Sequence, residues 1–373
     1  MNNINDFIFS KTKQREEDGM LRTLKKDNSL LTDLCSNDYL GLKRSSDFAN
    51  FLKTRVQEFE GHISGSGGSR LLTGNYELIE QLEEKIANHF VSEAAIIFPS
   101  GYQANMGLLS CIFPRNFPVI YDEYCHASLK EGIRMSFARK ISFRHNDMNH
   151  LEEILKKLNT PSCIVTETIF SMDGDSPSMN TLNNLAQKYD SIIVADEAHA
   201  CGIFGTHGKG LSVDFDKVFA RTITFGKAYG VMGAAILCTK QVKDFIVNFS
   251  RPFIYSTAPS PLFSISIFAA LDYTMLQKQP IQDLLKNITI FKSLFLEEFP
   301  QENCTNSAIQ KIIIPGNMRV KNVALALDNE GLAVLPVLYP TVPSNQERLR
   351  IVVHSYNSEQ DFKNFFFMLK KLL

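Results

Sequence analysis

Thr222-Ile-Thr-Phe-Gly-Lys-Ala-Tyr-Gly-Val-Met-Gly-Ala-Ala-Ile236 places a lone lysine, Lys227, in a loop of small residues between two apolar runs. The run before it, Thr222 to Phe225, reads as a buried strand, and Gly233 to Cys238 reads as another. An ammonium between two such strands is partly stripped of water, which lowers its pKa and frees a neutral amine. A neutral amine attacks carbonyl carbon and forms a Schiff base. The glycines on both sides let the backbone approach a flat, bulky ligand. The plain alternative is a loop lysine capping a carbonyl, and the rest of the chain has to decide between them.

Working outward, short apolar runs recur at Ala94–Phe98, Val119–Tyr121, Cys163–Thr166, Ile192–Ala195 and Ile223–Phe225. Segments of helical character separate most of them, at Ala104–Cys111, His150–Leu158 and Asn180–Tyr189. This alternation predicts an α/β fold: a mainly parallel sheet flanked by helices on both faces. Ligands of such sheets sit beyond the carboxyl ends of the strands. Ser100-Gly101-Tyr102, Asp122–His126, Glu167–Asp175, Asp196–His199 and Lys227 all follow strands and so fall at that edge.

Before this region, Lys11 to Lys26 has helical character, Leu31 to Cys35 alternates like a short strand, and Phe48 to Phe59 is amphipathic at helical spacing. Gly61-His-Ile-Ser-Gly-Ser-Gly-Gly-Ser-Arg70 is rich in glycine, but it lacks the Gly-Lys-Ser/Thr ending and a preceding strand, so it is not a nucleotide loop. Glu77–Phe90 predicts a helix with Leu78, Leu82, Ile86 and Phe90 on one face. After Tyr255-Ser-Thr257 comes an apolar helix over Pro261–Leu276. Further elements follow at Lys311–Ile314, Val323–Asp328 and Leu349–Val353, with a last helix near Glu359–Leu372. The predicted division is an N-terminal arm over 1–44, a large α/β domain over 45–258 and a smaller α+β domain over 259–373.

The bulk numbers exclude several classes. A 373-residue chain with 44% hydrophobic and 21% charged residues builds a globular core. A net charge of −1 offers no field for nucleic acid or for an anionic membrane surface. No apolar run approaches the length of a membrane span. Seven scattered cysteines without Cys-x-x-Cys predict free thiols, and no signal peptide is evident, so a cytoplasmic protein is expected.

The residues at the sheet edge suit one cofactor, pyridoxal 5′-phosphate (PLP), held by Lys227. Asp196 ends a buried run and needs a partner, which a protonated ring nitrogen supplies. His199 is placed to hydrogen-bond the ring hydroxyl. A core histidine is its plain alternative, and a metal site from Asp196, His199 and His207 is a rival that lacks further ligands. Gly101 and Tyr102 open a helix whose N–H groups suit a phosphate. His126 is placed to stack on the ring, and Ser171 lies in a turn at the same edge. Arg350 alternates with Arg348 along a strand and could clamp a carboxylate through two parallel bonds, leaving the other arginine on a solvated face.

These motifs, with Ser36-Asn-Asp-Tyr-Leu-Gly-Leu42, Ser64–Asn75, Phe170–Asp175, Thr341-Val-Pro343 and Arg348-Leu-Arg350, resemble the α-oxoamine synthases, PLP enzymes of fold type I. Within that family the chain looks most like the 8-amino-7-oxononanoate synthases of biotin biosynthesis. The resemblance implies that Lys227, His126 and Asp196 are catalytic. It assigns Gly101, Tyr102, Ser171, His199, Thr224, Ser256 and Thr257 to the cofactor, the last two reaching the phosphate of a neighbouring subunit in a homodimer with shared active sites. Asn37, Thr341, Arg350 and Arg22 are assigned to substrate, with Arg15 competing for the role of Arg22. The implied activity is acyl transfer: decarboxylative condensation of L-alanine with a pimeloyl thioester carried on coenzyme A or acyl carrier protein. The alternatives are a sister synthase using glycine or serine, and an aminotransferase. Ala200 and Cys201 depart from the family's usual glycine and threonine.

Overall fold

Six apolar runs and one mixed segment become strands in the computed structural model, which describes residues 3–24, 31–301 and 303–373. They are Ala94–Phe98 (β1), Pro118–Asp122 (β2), Arg139–Phe143 (β3), Cys163–Glu167 (β4), Ile192–Asp196 (β5), Val218–Thr224 (β6) and Ala234–Cys238 (β7). They form one sheet in the order β1-β7-β6-β5-β4-β2-β3. Pairing from β3 through β6 is parallel, whereas β7 is antiparallel to both β1 and β6.

Alternate residues along these strands feed two separate cores. Val119, Val165, Val194 and Ile236 pack with Leu108, Leu129 and Ile133 from helices on one face. Ile120, Ile164, Ile193 and Ala195 pack with Leu151, Leu155, Leu182 and Leu185 on the other. A sheet covered on both faces reads as continuous apolar sequence, and every residue of β1, β4 and β7 is buried. β3 escapes that reading. It is one of the two edge strands, and its Arg139, Lys140 and Ser142 are exposed, as edges that avoid further pairing tend to be.

The chain divides into two units. The larger takes Leu40–Ser171 and Asp175–Ile281, and so runs past the expected boundary at 258. The reason is the helix Pro261–Leu276, which packs on the helices Ser46–Glu58 and Glu77–His89. In the Glu77–His89 helix Leu82 and Ile86 face inward as predicted, with Phe90 buried just after it; Ile79, Glu83 and Ala87 widen that face, and Leu78 lies at its margin.

The smaller unit takes the described residues up to Tyr39, the triplet Met172–Gly174, and Gln282–Leu373. Ile309–Ile313 (β8), Leu335–Val337 (β9) and Arg348–Val352 (β10) form an antiparallel sheet in the order β9-β10-β8. Helices Gln279–Glu298 and Glu359–Leu372 supply its aromatic core, with Phe291 5.3 Å from Phe362 and 5.0 Å from Phe366. The strand expected over 31–35 is reduced to Thr32–Asp33, paired with Leu332–Ala333. The N-terminal helix spans Ile4–Glu17, earlier than expected, and stops before Gly19, whose φ of +65° ends it. Lys25 and Lys26 lie outside the described residues. No helix among the described residues is long and apolar enough to cross a membrane.

Candidate active site

In the larger unit the carboxyl ends of β1, β2, β4, β5 and β6 share one edge of the sheet. Lys227 sits at that edge in the β6–β7 turn, which Phe225 N closes by donating to Gly233 O at 2.8 Å. Gly230, with φ +64°, turns the loop back. A side chain at Gly202 would meet Ala228 at 2.9 Å and Tyr229 at 3.0 Å, so that glycine lets the segment after β5 lie against the lysine loop. Of the loop glycines, Gly226 is the open one. Lys227 is half-buried, and its Nζ lies 2.6 Å from His199 Nε2. One proton bridges that pair, so one of the two nitrogens presents a lone pair to the other.

Asp196 ends β5 and is buried. Its Oδ1 accepts from Ala198 N at 2.9 Å and its Oδ2 from Asn105 Nδ2 at 2.7 Å. Both donors are neutral, so this buried carboxylate is suited to a further cationic N–H, such as that of a protonated pyridine ring.

His126 caps the helix Ala127–Met135. Its N–H donates to Glu167 Oε1 at 2.6 Å, its Nδ1 lies 2.8 Å from Ser128 Oγ, and the Tyr102 ring meets its ring edge-on at 6.3 Å. Burial pushes the His126 pKa down. Asp196 opposes that push, and Lys227 and Lys130 add to it. Burial, with the Asp196 charge behind it, lifts the Glu167 carboxyl well above the ordinary range.

The helix Gly101–Leu109 points its N-terminus toward the same edge, capped by Ser100 Oγ accepting from Gln103 N at 3.3 Å. A Cβ at Gly101 would lie 3.8 Å from Thr224 Cβ. The Thr224 hydroxyl donates to Gly233 O at 3.0 Å and accepts from Gly226 N at 3.2 Å, so it also shapes the lysine loop. An amine, a buried carboxylate, an imidazole and a helix N-terminus beside a hydroxyl are the groups a phosphorylated pyridine aldehyde requires, and the set fits PLP.

Ser171 follows Phe170, whose N–H is held by Asp175 O. Thr257 bridges to Ser69, and Ala258 N donates to Gly68 O at 2.9 Å, so Ser256 and Thr257 are tied to the glycine-rich loop. His207 stands on an exposed turn at φ +58°. Within the smaller unit, Arg350 is buried and donates to Asn37 Oδ1 at 3.0 Å. Arg22 Nη2 donates to Thr341 Oγ1 at 3.3 Å, whereas Arg15 lies in the last turn of the N-terminal helix. The expected solvated arginine is absent from the strand: Arg348 is as buried as Arg350 and pairs with Asp173 at 2.5 Å. The reason is that β10 is the central strand of its sheet and is covered along its whole length.

Three contributors were missed by sequence reasoning. Asn105 and Ser128 are buried polar residues; the signal for Asn105 was a polar side chain among the apolar residues of the helix Gly101–Leu109. His145 is the third. Its Nδ1 lies 2.9 Å from Asp122 and its Nε2 2.9 Å from Asp175, and its ring stacks on Tyr124 at 4.5 Å. Burial disfavours its charge, but the hydrogen bonds and charges of the two aspartates outweigh burial and lift its pKa to about 9. Cys201 is buried beside Thr224 O at 3.5 Å, and burial pushes its thiol up to about 12.

The class I and II aminotransferase family matches residues 30–365. A protein of Halalkalibacterium halodurans, provisionally named 8-amino-7-oxononanoate synthase, is 35% identical over 351 residues, covering 91% of this chain and 86% of its own. One of Pasteurella multocida with the same provisional name is 32% identical over 363 residues, 94% of this chain and 92% of its own. Among solved structures, Sphingomonas wittichii serine palmitoyltransferase has a TM-score of 0.88 at 23% identity, covering 100% of this chain and 97% of that one. The 8-amino-7-oxononanoate synthase of Francisella tularensis has a TM-score of 0.77 at 24% identity, covering 92% and 98%. At those identities the two structures speak to the fold. With that family spanning residues 30–365 and relatives above 30% identity, the chain belongs to the α-oxoamine synthases, PLP-dependent enzymes of fold type I within the class I and II aminotransferase family.

Proposed function

We propose that the protein condenses L-alanine with a pimeloyl thioester to give 8-amino-7-oxononanoate, carbon dioxide and free thiol. The observation that carries this reading is the Lys227 amine held 2.6 Å from His199 at the sheet edge that also holds the buried Asp196 carboxylate. The provisional names of the relatives at 32–35% identity support the choice of substrates.

Bound PLP supplies an electron sink for the carbanion formed at the amino-acid α-carbon. Asp196 keeps the ring nitrogen protonated. Lys227, once its Nζ is released, accepts the α-proton and later returns one to the same carbon after loss of carbon dioxide. His126 would stack on the ring, His199 would face the ring hydroxyl, and Gly101, Tyr102, Ser171 and Thr224 would contribute to the phosphate and ring contacts. Arg350 and Asn37 receive the substrate carboxylate. Arg22 and Thr341, already joined by a hydrogen bond, receive the acyl substrate, a pairing that favours Arg22 over Arg15. Ser256 and Thr257 serve the neighbouring subunit of a cytoplasmic homodimer.

The test is product mass and carbon dioxide release with pimeloyl thioester, on coenzyme A and on acyl carrier protein, across alanine, glycine and serine. Product with alanine is expected. Product from glycine or serine alone, or amino transfer to a keto acid without carbon dioxide, overturns the assignment.

A further inference from the structure

Three buried polar groups, Asp196, Asn105 and Ser128, form a continuous chain from the end of β5 to the more exposed ring of His126. Asn105 Nδ2 lies 2.7 Å from Asp196 Oδ2 and 2.9 Å from Ser128 Oγ, and Ser128 Oγ lies 2.8 Å from His126 Nδ1. The carboxylate accepts only, so the amide nitrogen must face it. A flipped amide would set oxygen against oxygen. Both amide hydrogens are then committed, one to Asp196 and one to Ser128. Asn105 Oδ1 is buried with no partner among the described residues, the cost of this orientation. Ser128 Oγ accepts from Asn105, which leaves its single hydrogen for His126 Nδ1. The Ser128 backbone N–H also donates to that nitrogen, at 3.2 Å. A nitrogen that receives two donors carries a lone pair and no proton.

We infer that Asn105 and Ser128 are positioning residues that lock His126 as the neutral tautomer with its proton on Nε2, and that tie its orientation to the Asp196 carboxylate. The charged groups facing His126 act in the same sense or are outweighed by burial: Lys227 from the β6–β7 turn and Lys130 from its own helix disfavour an imidazolium, and Asp196 from β5 favours one. Glu167 from β4 binds the His126 backbone N–H, and Tyr102 from the helix Gly101–Leu109 meets the ring at its edge. Proton transfer at His126 is thereby confined to Nε2, and the ring offered for stacking is uncharged. This assignment rests on the proposed reaction only for its catalytic meaning.

The test is nitrogen-15 spectroscopy of the full-length protein as purified, labelled at histidine, with His126 identified by the signals lost in His126→Asn. A pyridine-type Nδ1 and a pyrrole-type Nε2 are expected between pH 6 and 8.5. Ser128→Ala should raise the Nδ1–H fraction roughly threefold to tenfold, the worth of one hydrogen bond, and move the His126 titration upward. Ser128→Thr should restore the wild-type pattern. A Ser128 that only fills space would change the unfolding temperature and leave the tautomer alone. A pyrrole-type Nδ1 in the wild type overturns the inference without any variant, as does an unchanged tautomer in Ser128→Ala. If the lock is seen but no condensation product forms, the proposed reaction falls and this assignment stands.

Discussion

Replacing Asp175 by asparagine removes one of the two carboxylates that grip His145 while keeping an oxygen that can accept from its ring. The lift of His145 from 6.5 to about 9 is worth about 3 kcal/mol at 1.36 kcal/mol per unit. Asp122 is fully buried at its side chain and Asp175 is 36% exposed, so solvent screens the second partner more. We assign about 1 kcal/mol to Asp175, which should bring His145 to near 8. Because the folded pKa lies above the unfolded one, the stabilisation is fully present below 6.5 and is lost as pH rises through 9. The Asp175→Asn deficit should therefore be about 1 kcal/mol at pH 6, shrink between pH 7.5 and 9, and vanish by pH 10. Urea unfolding of both proteins across this range, read as their difference so that other titrations cancel, measures it. A deficit that is flat with pH, or one that grows toward pH 10, refutes the reasoning.

Lys227→Ala should lower condensation turnover by at least about 10³-fold and abolish borohydride-fixed cofactor on that peptide. Turnover near the wild-type value would sink the mechanism. Arg348→Met leaves the buried Asp173 with Lys311 alone, and should cost about 2–3 kcal/mol in urea unfolding. Arg350→Lys loses the two-pronged guanidinium and should raise KM for the amino acid about tenfold with a smaller change in kcat. A fall in kcat at constant KM would place Arg350 outside substrate binding.

The sheet was legible because burial on both faces writes strands as unbroken apolar text, as in Cys163–Glu167 and Ala234–Cys238. β3 was not, since its exposed Arg139 and Lys140 give no such signal. The helix Ala127–Met135 and most of Gln279–Glu298 were also missed. The first is a short stretch with small and charged residues among its apolar ones. The direction of β7 could not be read either, because a nine-residue loop suits a hairpin as well as a turn into another layer. At the site, Lys227, Asp196 and His126 stood out as polar groups ending strands. Asn105 did not, because its meaning depends on Ser128 and Asp196, 23 and 91 residues away. The fate of Arg348 depended likewise on Asp173, 175 residues away.

The smaller unit draws on both ends of the polypeptide, and its Thr32–Asp33 rung needs Leu332–Ala333 as a mate. During synthesis the larger unit has nearly all its parts once residue 281 has left the ribosome. The first forty residues must wait for the last ninety, since contacts spanning so much sequence are slow to close. Nascent chains halted between those points should therefore shield the sheet from proteases while leaving the amino-terminal segment open to cleavage.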